Sequence, residues 1–307
     1  MTVVDLRELS PSDQVSLHEL LRRAEAAHED PPLPEPQQLA VARVDAAPEG
    51  ERIVLARQGA RLAGFALVSP ARDGSTVVHE VIDPAAPAGS APALRQALLQ
   101  RAVHESPAAS PIHFWAMQAT EVDDESAGAA GFAPERDLLQ MRVALPLPDA
   151  VVAATRPLAT RAFVVGRDEG PWLEANNRAF AGHPEQGAWT VGELQERMAA
   201  DWVELDGFLI ADDPDGPGLI GACWTKMHRD RDPVLGEIYV IDVDPRHHGQ
   251  GWGRSLTVAG LTHLAQRGIT VGMLYTDATN EAAVALYRSL GFTVDHVDRS
   301  YRRDPTA

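Results

Sequence analysis

The sequence contains one order of elements twice, and this internal repeat limits the possible folds more than any other feature. The strand patterns at Arg61–Pro70 and Pro217–Lys226 each contain a central glycine, and each is followed by an apolar strand that ends in Asp-Pro. A Gly-Phe pair follows later in each copy, at Gly131 and Gly291. The Asp-Pro proline precedes that glycine by 47 residues in the first copy and 46 in the second. This agreement indicates two tandem copies of one α/β unit.

Each copy reads as a strand, one or two helices, three strands, a helix, a strand, a helix and a closing strand. This order predicts an α/β fold with a mixed sheet. In the second copy we predict strands at 161–166, 207–211, 219–226, 236–243, 271–276 and 293–302, and helices at 171–181, 190–200, 252–267 and 280–290. A proline-punctuated stretch around 145–157 separates the copies, which gives predicted domains 1–148 and 158–307.

The charge balance limits the possible partners. The 307 residues include 27 Lys+Arg and 44 Asp+Glu, a formal charge of −17, whereas binding to phosphate-rich surfaces needs an excess of bases on at least one face. We therefore expect neither nucleic acid nor a membrane as a partner, and a polyanionic ligand must meet a local basic loop. The single cysteine, Cys223, excludes an intramolecular disulfide and a cysteine-based metal cluster. No apolar run approaches the ~20 residues of a membrane helix, and the N-terminus lacks the apolar core of a signal peptide, so we expect a cytoplasmic protein. We also expect no metal cofactor.

The strongest functional signal is the loop Asp244–Arg254, which lies between an apolar strand and an amphipathic helix. Its three glycines allow tight turns that bring backbone N–H groups close to a ligand, and the positive end of the following helix points to the same place. Arg246, His247 and His248 make the loop locally basic. The loop has neither the G-x-G-x-x-G spacing nor the Gly-Lys-Ser/Thr of nucleotide sites, and taken by itself it also fits a plain glycine-rich turn.

The context of this loop resembles the GNAT acyltransferases. A strand ending in V-x-P, a Gly-x-Gly loop, a helix, a strand and the pattern N-x-x-A-x-x-x-Y-x-x-x-G-F from Asn280 to Phe292 occur in that family's order. The resemblance implies two tandem GNAT domains that use acetyl-CoA as a co-substrate. The implied cofactor-binding residues are Ile241, Asp242, Val243, His248, Gly249, Gln250, Gly251, Trp252, Gly253, Arg254, Asn280, Glu281, Ala282, Ala283, Val284 and Ala285. The family usually has Gln or Arg in place of His248, a departure we expect to be tolerated because backbone N–H groups do most of the binding.

Further strings in the second copy resemble a narrower group of GNAT enzymes that carry two GNAT domains in one chain. They are E-A-N-N-R-A-F-A-G-H-P-E-Q-G at 174–187, W-T at 189–190, W-T-K at 224–226 and G-E-I-Y-V at 236–240. G-H-P-E-Q-G is the most specific string, because nothing in a generic GNAT fold requires it. The likeness is dense from about 161 to 303 and thin from 1 to 145.

Enzymes of this group acetylate the cysteinyl amine of cysteinyl-glucosaminyl-inositol, a small sugar that carries a thiol and an amine. The resemblance therefore implies such a small molecule as the acceptor. The implied substrate-binding residues are Glu35, Glu185, Lys226, Glu237 and Tyr275. Lys226 equally fits an ordinary exposed lysine, and Glu35 equally fits a loop carboxylate.

Direct acetyl transfer needs a base for the attacking amine and an acid for the departing thiolate. Glu237 resembles the family's general base, acting through a water, and strand alternation would put it on the same face as Ile241 and Val243. Tyr287 resembles the general acid, and it shares a helix face with Asn280, seven residues earlier. A tyrosine in an apolar helical stripe is also commonly a core residue.

The first copy differs at the corresponding points. Its loop, 85–92, has one glycine, no basic residue and two prolines, which remove N–H donors, and no tyrosine precedes Gly131. We therefore expect the N-terminal domain to be a degenerate GNAT domain that mainly forms a wall of the substrate cleft. We expect the chain to act as a monomer. Two other functions stay open: acetylation of another small amine or a peptide N-terminus, and non-catalytic acetyl-CoA binding.

Overall fold

The computed structural model describes residues 1–27, 31–71, 73–87, 89–181 and 187–305, and of Glu35 it describes the main chain only. The chain divides into two compact units. Unit 1 comprises Met1–Leu138 and His296–Ala307, and unit 2 comprises Leu139–Asp295. No helix in the described ranges is long and apolar enough to cross a membrane.

In its described residues, unit 1 combines a mixed sheet with helices. Its strands are β1 (Thr2–Asp5), β2 (Arg52–Gln58), β3 (Arg61–Pro70), β4 (Thr76–Ile82) and β5 (Ile112–Ala116), and its helices are α1 (Pro11–Ala27), α2 (Glu35–Ala42), α3 (Ala91–Glu105) and α4 (Glu121–Ala129). The strands pair in chain order, antiparallel except for the parallel pair β4 and β5. One apolar cluster joins Leu17 and Leu20 of α1 to Phe65 of β3, and another joins Leu98 of α3 to Phe114 of β5. The sheet is therefore covered by apolar contacts on both faces.

Unit 2 has the same plan. Strand β6 (Ala133–Ala144) passes from unit 1 into unit 2, and after it come α5 (Asp149–Ala153), β7 (Arg161–Ala162), α6 (Glu169–Ala179), α7 (Val191–Met198), β8 (Phe208–Asp212), β9 (Leu219–His228), β10 (Leu235–Val243), α8 (Trp252–Gln266), β11 (Val271–Asp277), α9 (Glu281–Ser289) and β12 (Thr293–Arg303). Its strand order is β7-β8-β9-β10-β11 followed by the end of β6. The predicted helices and strands of the second copy are all present, with ends shifted by a few residues.

The two faces of the unit 2 sheet bury different side chains. On one face, Ile238 packs with Leu256 and Leu261 of α8. A Cβ on Gly260 of α8 would lie 2.5 Å from the Cys223 sulfur, so glycine is what allows this helix to contact the sheet directly. The other face carries an aromatic cluster that includes Trp172 of α6, Phe208 of β8 and Trp224 of β9. The rings of Phe208 and Trp224 stack with centroids 4.4 Å apart.

The closing strands differ from the sequence prediction, which had each copy close its own sheet. β12 pairs antiparallel with β5 of unit 1, with Arg299 opposite Ala116 and Arg303 opposite Ile112. In unit 2, the chain just after β6 is bound to the region before β11, where the Leu145 N–H donates to the Thr270 carbonyl oxygen at 2.8 Å. Both closing strands follow a helix and a Gly-Phe pair, so their local patterns do not distinguish the two sheets. The predicted division at 148 and 158 describes the copies of the repeat, whereas the compact units exchange their last strands.

Candidate active site

An opening between β10 and β11 defines the candidate site in unit 2. The two strands pair in parallel only from Leu235 with Val271 to Glu237 with Met273, although β10 continues to Val243 and β11 to Asp277. On its other side, β10 stays paired with β9 up to Val243. The backbone of β10 beyond Glu237 is therefore no longer paired with β11.

A cavity of about 300 Å³ lies at this opening and brings together the glycine loop, the end of β10 and one face of α9. Nine of the sixteen predicted cofactor-binding residues line it: Ile241, Val243, His248, Gly249, Gly251, Trp252, Gly253, Asn280 and Ala283. Tyr287 lines it as well. The other predicted residues do not line this cavity: Asp242, Gln250, Arg254, Glu281, Ala282, Val284 and Ala285.

The loop forms an anion cradle because glycine occupies the two positions with left-handed backbone. Gly249 has φ +74° and Gly251 has φ +85°. Residues other than glycine adopt this left-handed region only at a cost in conformational energy. Gly251 is the N-cap of α8, a helix of 15 residues. The first N–H groups of a helix lack partners within it, and the helix dipole adds positive potential there. Together these features favour a phosphate group at the loop.

The basic residues of the loop have separate tasks. Asp244 is fully buried and accepts hydrogen bonds from Arg246 and from Arg178 of α6. Burial would raise the pKa of Asp244, but these hydrogen bonds outweigh it and hold that pKa well below the usual range. His248 Nε2 lies 2.9 Å from the Val243 carbonyl oxygen and ties the loop to the end of β10. The Arg246 charge is therefore used to hold the strand end.

Asp242 points away from the cavity. Its carboxylate accepts a hydrogen bond of 2.9 Å from the Trp172 indole on the opposite face of the sheet. Burial raises the pKa of Asp242 to about 7, although this hydrogen bond opposes the shift. Any contact of Asp242 with a cofactor in the cavity is therefore limited to its main chain.

Tyr287 lies in the wall of the cavity and is 6% exposed. Burial, with a contribution from the nearby Cys223, raises the pKa of Tyr287 to about 12. The hydroxyl therefore stays protonated at neutral pH and can donate a hydrogen bond. Asn280 caps α9 by accepting from the Ala283 N–H at 3.2 Å, and it lines the same cavity as Tyr287, as the helical spacing predicts.

Glu237 stands at the apex of the opening, in the last residue pair that joins β10 to β11. The strand-alternation prediction is wrong for this residue, because a β-bulge lies between Ile238 and Val240. The extra residue, Tyr239, shifts the alternation, so Glu237 faces the aromatic cluster while Ile241 faces α8.

The surroundings of Glu237 include groups that suit a polar acceptor. His228 Nε2 lies 2.8 Å from a Glu237 carboxylate oxygen, and Lys226 is directly opposite Glu237 in β9. The Lys226 ammonium lies 4.6 Å from the Trp202 ring centroid. Lys226 and Glu237, both predicted to bind substrate, are therefore neighbours.

The remaining predicted substrate residues are more dispersed. The Tyr275 hydroxyl accepts a hydrogen bond of 2.8 Å from Gln140 Nε2. Glu35 is the first residue of α2 in unit 1, and its side chain lies outside the described residues. Glu185, with the rest of the segment 182–186, also lies outside them.

Comparison with known proteins agrees with this geometry. Residues 172–292 match the acetyltransferase (GNAT) family. A mycothiol acetyltransferase from Thermobispora bispora is 39% identical in an alignment that covers 99% of this chain and 100% of that protein. The chain belongs to the mycothiol acetyltransferase family. The prediction of an acetyltransferase of this kind is thereby confirmed.

Solved structures of the same fold support the predicted fold class. A GCN5-related N-acetyltransferase from Sphaerobacter thermophilus has a TM-score of 0.68 at 22% identity, with coverage of 97% of this chain and 94% of that one. A tandem GNAT protein from the clavulanic acid biosynthesis pathway has a TM-score of 0.67 at 13% identity, with coverage of 100% and 98%. This chain therefore shares the fold of a tandem GNAT protein.

Unit 1 contains a counterpart of the cleft with different chemistry. Counted from the Asp-Pro proline and the Gly-Phe glycine, Glu80 corresponds to Ile241, Asp123 to Ala283 and Ala127 to Tyr287. Glu80 and Asp123 both form ion pairs with Arg95 at a cavity of about 320 Å³. Buried charges thus replace the apolar wall of the unit 2 cleft, and the tyrosine hydroxyl has no equivalent. At these positions, the described part of unit 1 thus carries charged or small side chains where unit 2 has an apolar wall and a tyrosine.

Sequence reasoning missed two residues that adjoin the site. His228 of β9 contacts Glu237 of β10. Lys226 is opposite Glu237, and His228 lies two residues beyond Lys226 and therefore on the same face of the sheet, but this register is not evident from the sequence. Arg156 lies against Trp252 and the loop, but no local pattern connects it to residues 94 positions later. The first contact joins neighbouring strands at a separation of nine residues, and the second joins segments that are distant in the sequence.

Proposed function

We propose that this protein transfers the acetyl group of acetyl-CoA to the cysteinyl amine of cysteinyl-glucosaminyl-inositol, the last step of mycothiol synthesis. The observation that carries the proposal is the single cavity in which the glycine loop, the free end of β10 and Tyr287 meet. A phosphate-binding loop, an apolar strand edge and a protonated hydroxyl are the groups that a thioester of coenzyme A requires. Family membership narrows the acceptor to the small thiol-amine sugar.

In this proposal, the cradle at Gly249–Gly253 holds the diphosphate, and Ile241 and Val243 line the pantetheine arm. The fit is chemical as well as spatial, because the cradle offers N–H donors and these two side chains offer apolar surface. The other predicted contacts are proposed to act through the main chain or at the rim: Asp242, Gln250, Arg254, Glu281, Ala282, Val284 and Ala285. No group of three or more His, Cys, Asp and Glu side chains placed to hold a metal occurs in the described ranges.

Glu237 is proposed as the general base. The acceptor amine must lose a proton to attack the thioester carbonyl, and a carboxylate at the apex of the opening can take it directly or through a water. The contact with His228 fixes one carboxylate oxygen and leaves the other for the proton transfer. Lys226, beside Glu237, is proposed to contact hydroxyl groups of the acceptor.

Tyr287 is proposed as the donor to the departing sulfur. When the carbon–sulfur bond breaks, negative charge develops on the thiolate, and the Tyr287 hydroxyl is still protonated at neutral pH. Cys223 does not act as a nucleophile, because it is fully buried and burial raises its thiol pKa far above neutral. The transfer is therefore direct, without an acetylated enzyme.

The proposal also covers the rest of the acceptor site, the roles of the two copies and the place where the protein acts. Glu35, Glu185 and Tyr275 are proposed to complete the acceptor site. The copy spanning 1–148 is proposed to form a non-catalytic wall of the substrate cleft, and the copy spanning 158–307 is proposed to catalyse the acetyl transfer. We propose that the protein acts in the cytoplasm as a monomer, with neither nucleic acid nor membrane as a partner.

The test is release of coenzyme A with cysteinyl-glucosaminyl-inositol compared with a panel of other amines, including a peptide with a free N-terminus and an aminoglycoside. We expect kcat/KM to be highest for the cysteinyl sugar by at least about a hundredfold, which corresponds to about 2.7 kcal/mol of transition-state discrimination. Equal turnover of an unrelated amine would refute the acceptor assignment. Binding of acetyl-CoA without turnover of any acceptor would instead indicate a sensor.

A further inference from the structure

Arg156 lies beside the glycine loop although it precedes Gln250 by 94 residues. The carbon at the centre of its guanidinium is 3.6 Å from the centroid of the Trp252 ring, and Nη1 donates to the Gln250 carbonyl oxygen at 3.2 Å. The main chain is anchored as well, since Ser255 Oγ donates to the Arg156 carbonyl oxygen at 2.8 Å. Three contacts thus fix this arginine against the first turn of α8.

The neighbouring residue of the same segment is held in a similar way. Arg254 Nε donates to the Thr155 hydroxyl at 3.1 Å, and Arg254 Nη1 donates to Ser289. The segment that links the two copies of the repeat is therefore attached to the glycine loop, and it brings a guanidinium group next to Gln250 and Trp252 of that loop.

The Arg156 charge is available to a ligand. The side chain is exposed, and in the described part of the chain no carboxylate forms an ion pair with it. Arg246 differs, because it forms an ion pair with the buried Asp244. A guanidinium has five N–H donors, and one of those of Arg156 is used by the Gln250 carbonyl, so several remain for an acceptor.

We propose that Arg156 is a cofactor-binding residue that contacts a phosphate group of coenzyme A. The indole face and the carbonyl oxygen orient the guanidinium before the ligand arrives, which lowers the entropy cost of binding. Charge-assisted hydrogen bonds from arginine to phosphate are among the stronger ones in proteins. The inference rests on the proposed use of acetyl-CoA and adds a contact from outside the loop.

The experiment is calorimetric binding of coenzyme A, 3′-dephospho-coenzyme A and pantetheine to the full-length protein. Arg156→Met keeps much of the side-chain length but removes the charge, and its Kd for coenzyme A should rise about tenfold, or about 1.4 kcal/mol. The Kd for pantetheine, which has no phosphate, should not change. A loss confined to coenzyme A would assign the 3′-phosphate, and an equal loss with 3′-dephospho-coenzyme A would assign the diphosphate.

Two further variants guard against a purely structural effect. Arg156→Lys retains the charge and should bind coenzyme A more tightly than Arg156→Met. Arg136→Met removes an arginine that lies 5.7 Å from the ring centroid of Trp115 in unit 1, and it should leave all three Kd values unchanged.

The outcomes separate the two proposals. An Arg156→Met protein that binds coenzyme A like the wild type, or that loses affinity for all three ligands equally, would overturn the role of Arg156, as would equal binding by the Lys and Met variants. A wild-type protein that binds none of the three would refute the use of acetyl-CoA itself.

Discussion

Replacement of Asp242 by Asn is expected to raise the free energy of unfolding relative to wild type by an amount that increases with pH. The Asp242 side chain is buried in unit 2, and the Trp172 indole donates to one of its oxygens at 2.9 Å. The other carboxylate oxygen has no hydrogen-bond partner in the described residues. Burial therefore raises the pKa of this carboxyl from 3.8 to about 7. The ionised form is the costly one, and Asn resembles the protonated form.

The sign follows from proton linkage. Between pH 4 and 7 the folded protein keeps a proton on Asp242 that the unfolded chain has lost, so the wild-type free energy of unfolding falls as the pH rises through this window. A shift of about three pKa units corresponds to roughly 4 kcal/mol as an upper limit. About 2–3 kcal/mol of this should be lost between pH 5 and pH 8. The asparagine side chain of the variant does not ionise, so the variant avoids this loss. The free energy of unfolding of the variant relative to wild type should therefore increase by about 2–3 kcal/mol from pH 5 to pH 8.

The assay is urea denaturation of both proteins at pH 5 and pH 8. Asp244→Asn is the matched control, because Arg246 and Arg178 hold the pKa of Asp244 well below the usual range. The control should destabilise the protein by the same amount at both pH values, since Asp244 is ionised at both in the folded and unfolded states. If Asp242→Asn and wild type differ in their free energy of unfolding by the same amount at pH 5 and pH 8, the pKa of Asp242 is not raised in the folded protein.

Three further predictions concern the cleft. Glu237→Gln should lower kcat/KM by about 10²–10⁴ while leaving the calorimetric Kd of acetyl-CoA unchanged, because it removes the base and not the cradle; a large change in that Kd would argue against the role. Tyr287→Phe should lower kcat in single-turnover kinetics by about tenfold or more, since the sulfur loses its donor; an unchanged rate would exclude Tyr287 as the acid. Gly251→Ala, at φ +85°, should lower the free energy of unfolding by about 1–2 kcal/mol through backbone strain and should raise the Kd of acetyl-CoA. The control is Gly268→Ala, at φ +82° beyond the end of α8, which should lower stability by a similar amount and leave that Kd unchanged.

Sequence patterns predict much of the fold because the repeat and the periodicities are local. The strand that ends in Asp244-Pro245, the glycine loop, and the shared face of Asn280 and Tyr287 each follow from residues within one short segment. The structure places Tyr287 at the cavity as that spacing predicts. Local rules were therefore sufficient for the main elements of the unit 2 cleft.

The features that the sequence did not predict depend on strand register and on which charged side chains pair in the folded chain. The bulge at Tyr239 reverses the face expected for Glu237, because alternation assumes a regular ladder. The exchange of β6 and β12 involves two strands with interchangeable patterns. Arg246 makes the loop basic in the sequence, but in the structure it pairs with the buried Asp244, whereas Arg156, for which the described residues show no carboxylate partner, comes from the linker. Charge pairing and register are set by the tertiary fold.

The proposed formation of an amide on the cysteinyl nitrogen of the acceptor can be measured directly. The full-length protein is incubated with acetyl-CoA and cysteinyl-glucosaminyl-inositol, and the new acetyl group is located by NMR. We expect a single amide on the cysteinyl nitrogen with wild-type protein, and a product formed far more slowly with Glu237→Gln. An acetyl group found only on the thiol, or no product under conditions where acetyl-CoA is bound, would exclude the proposed N-acetylation.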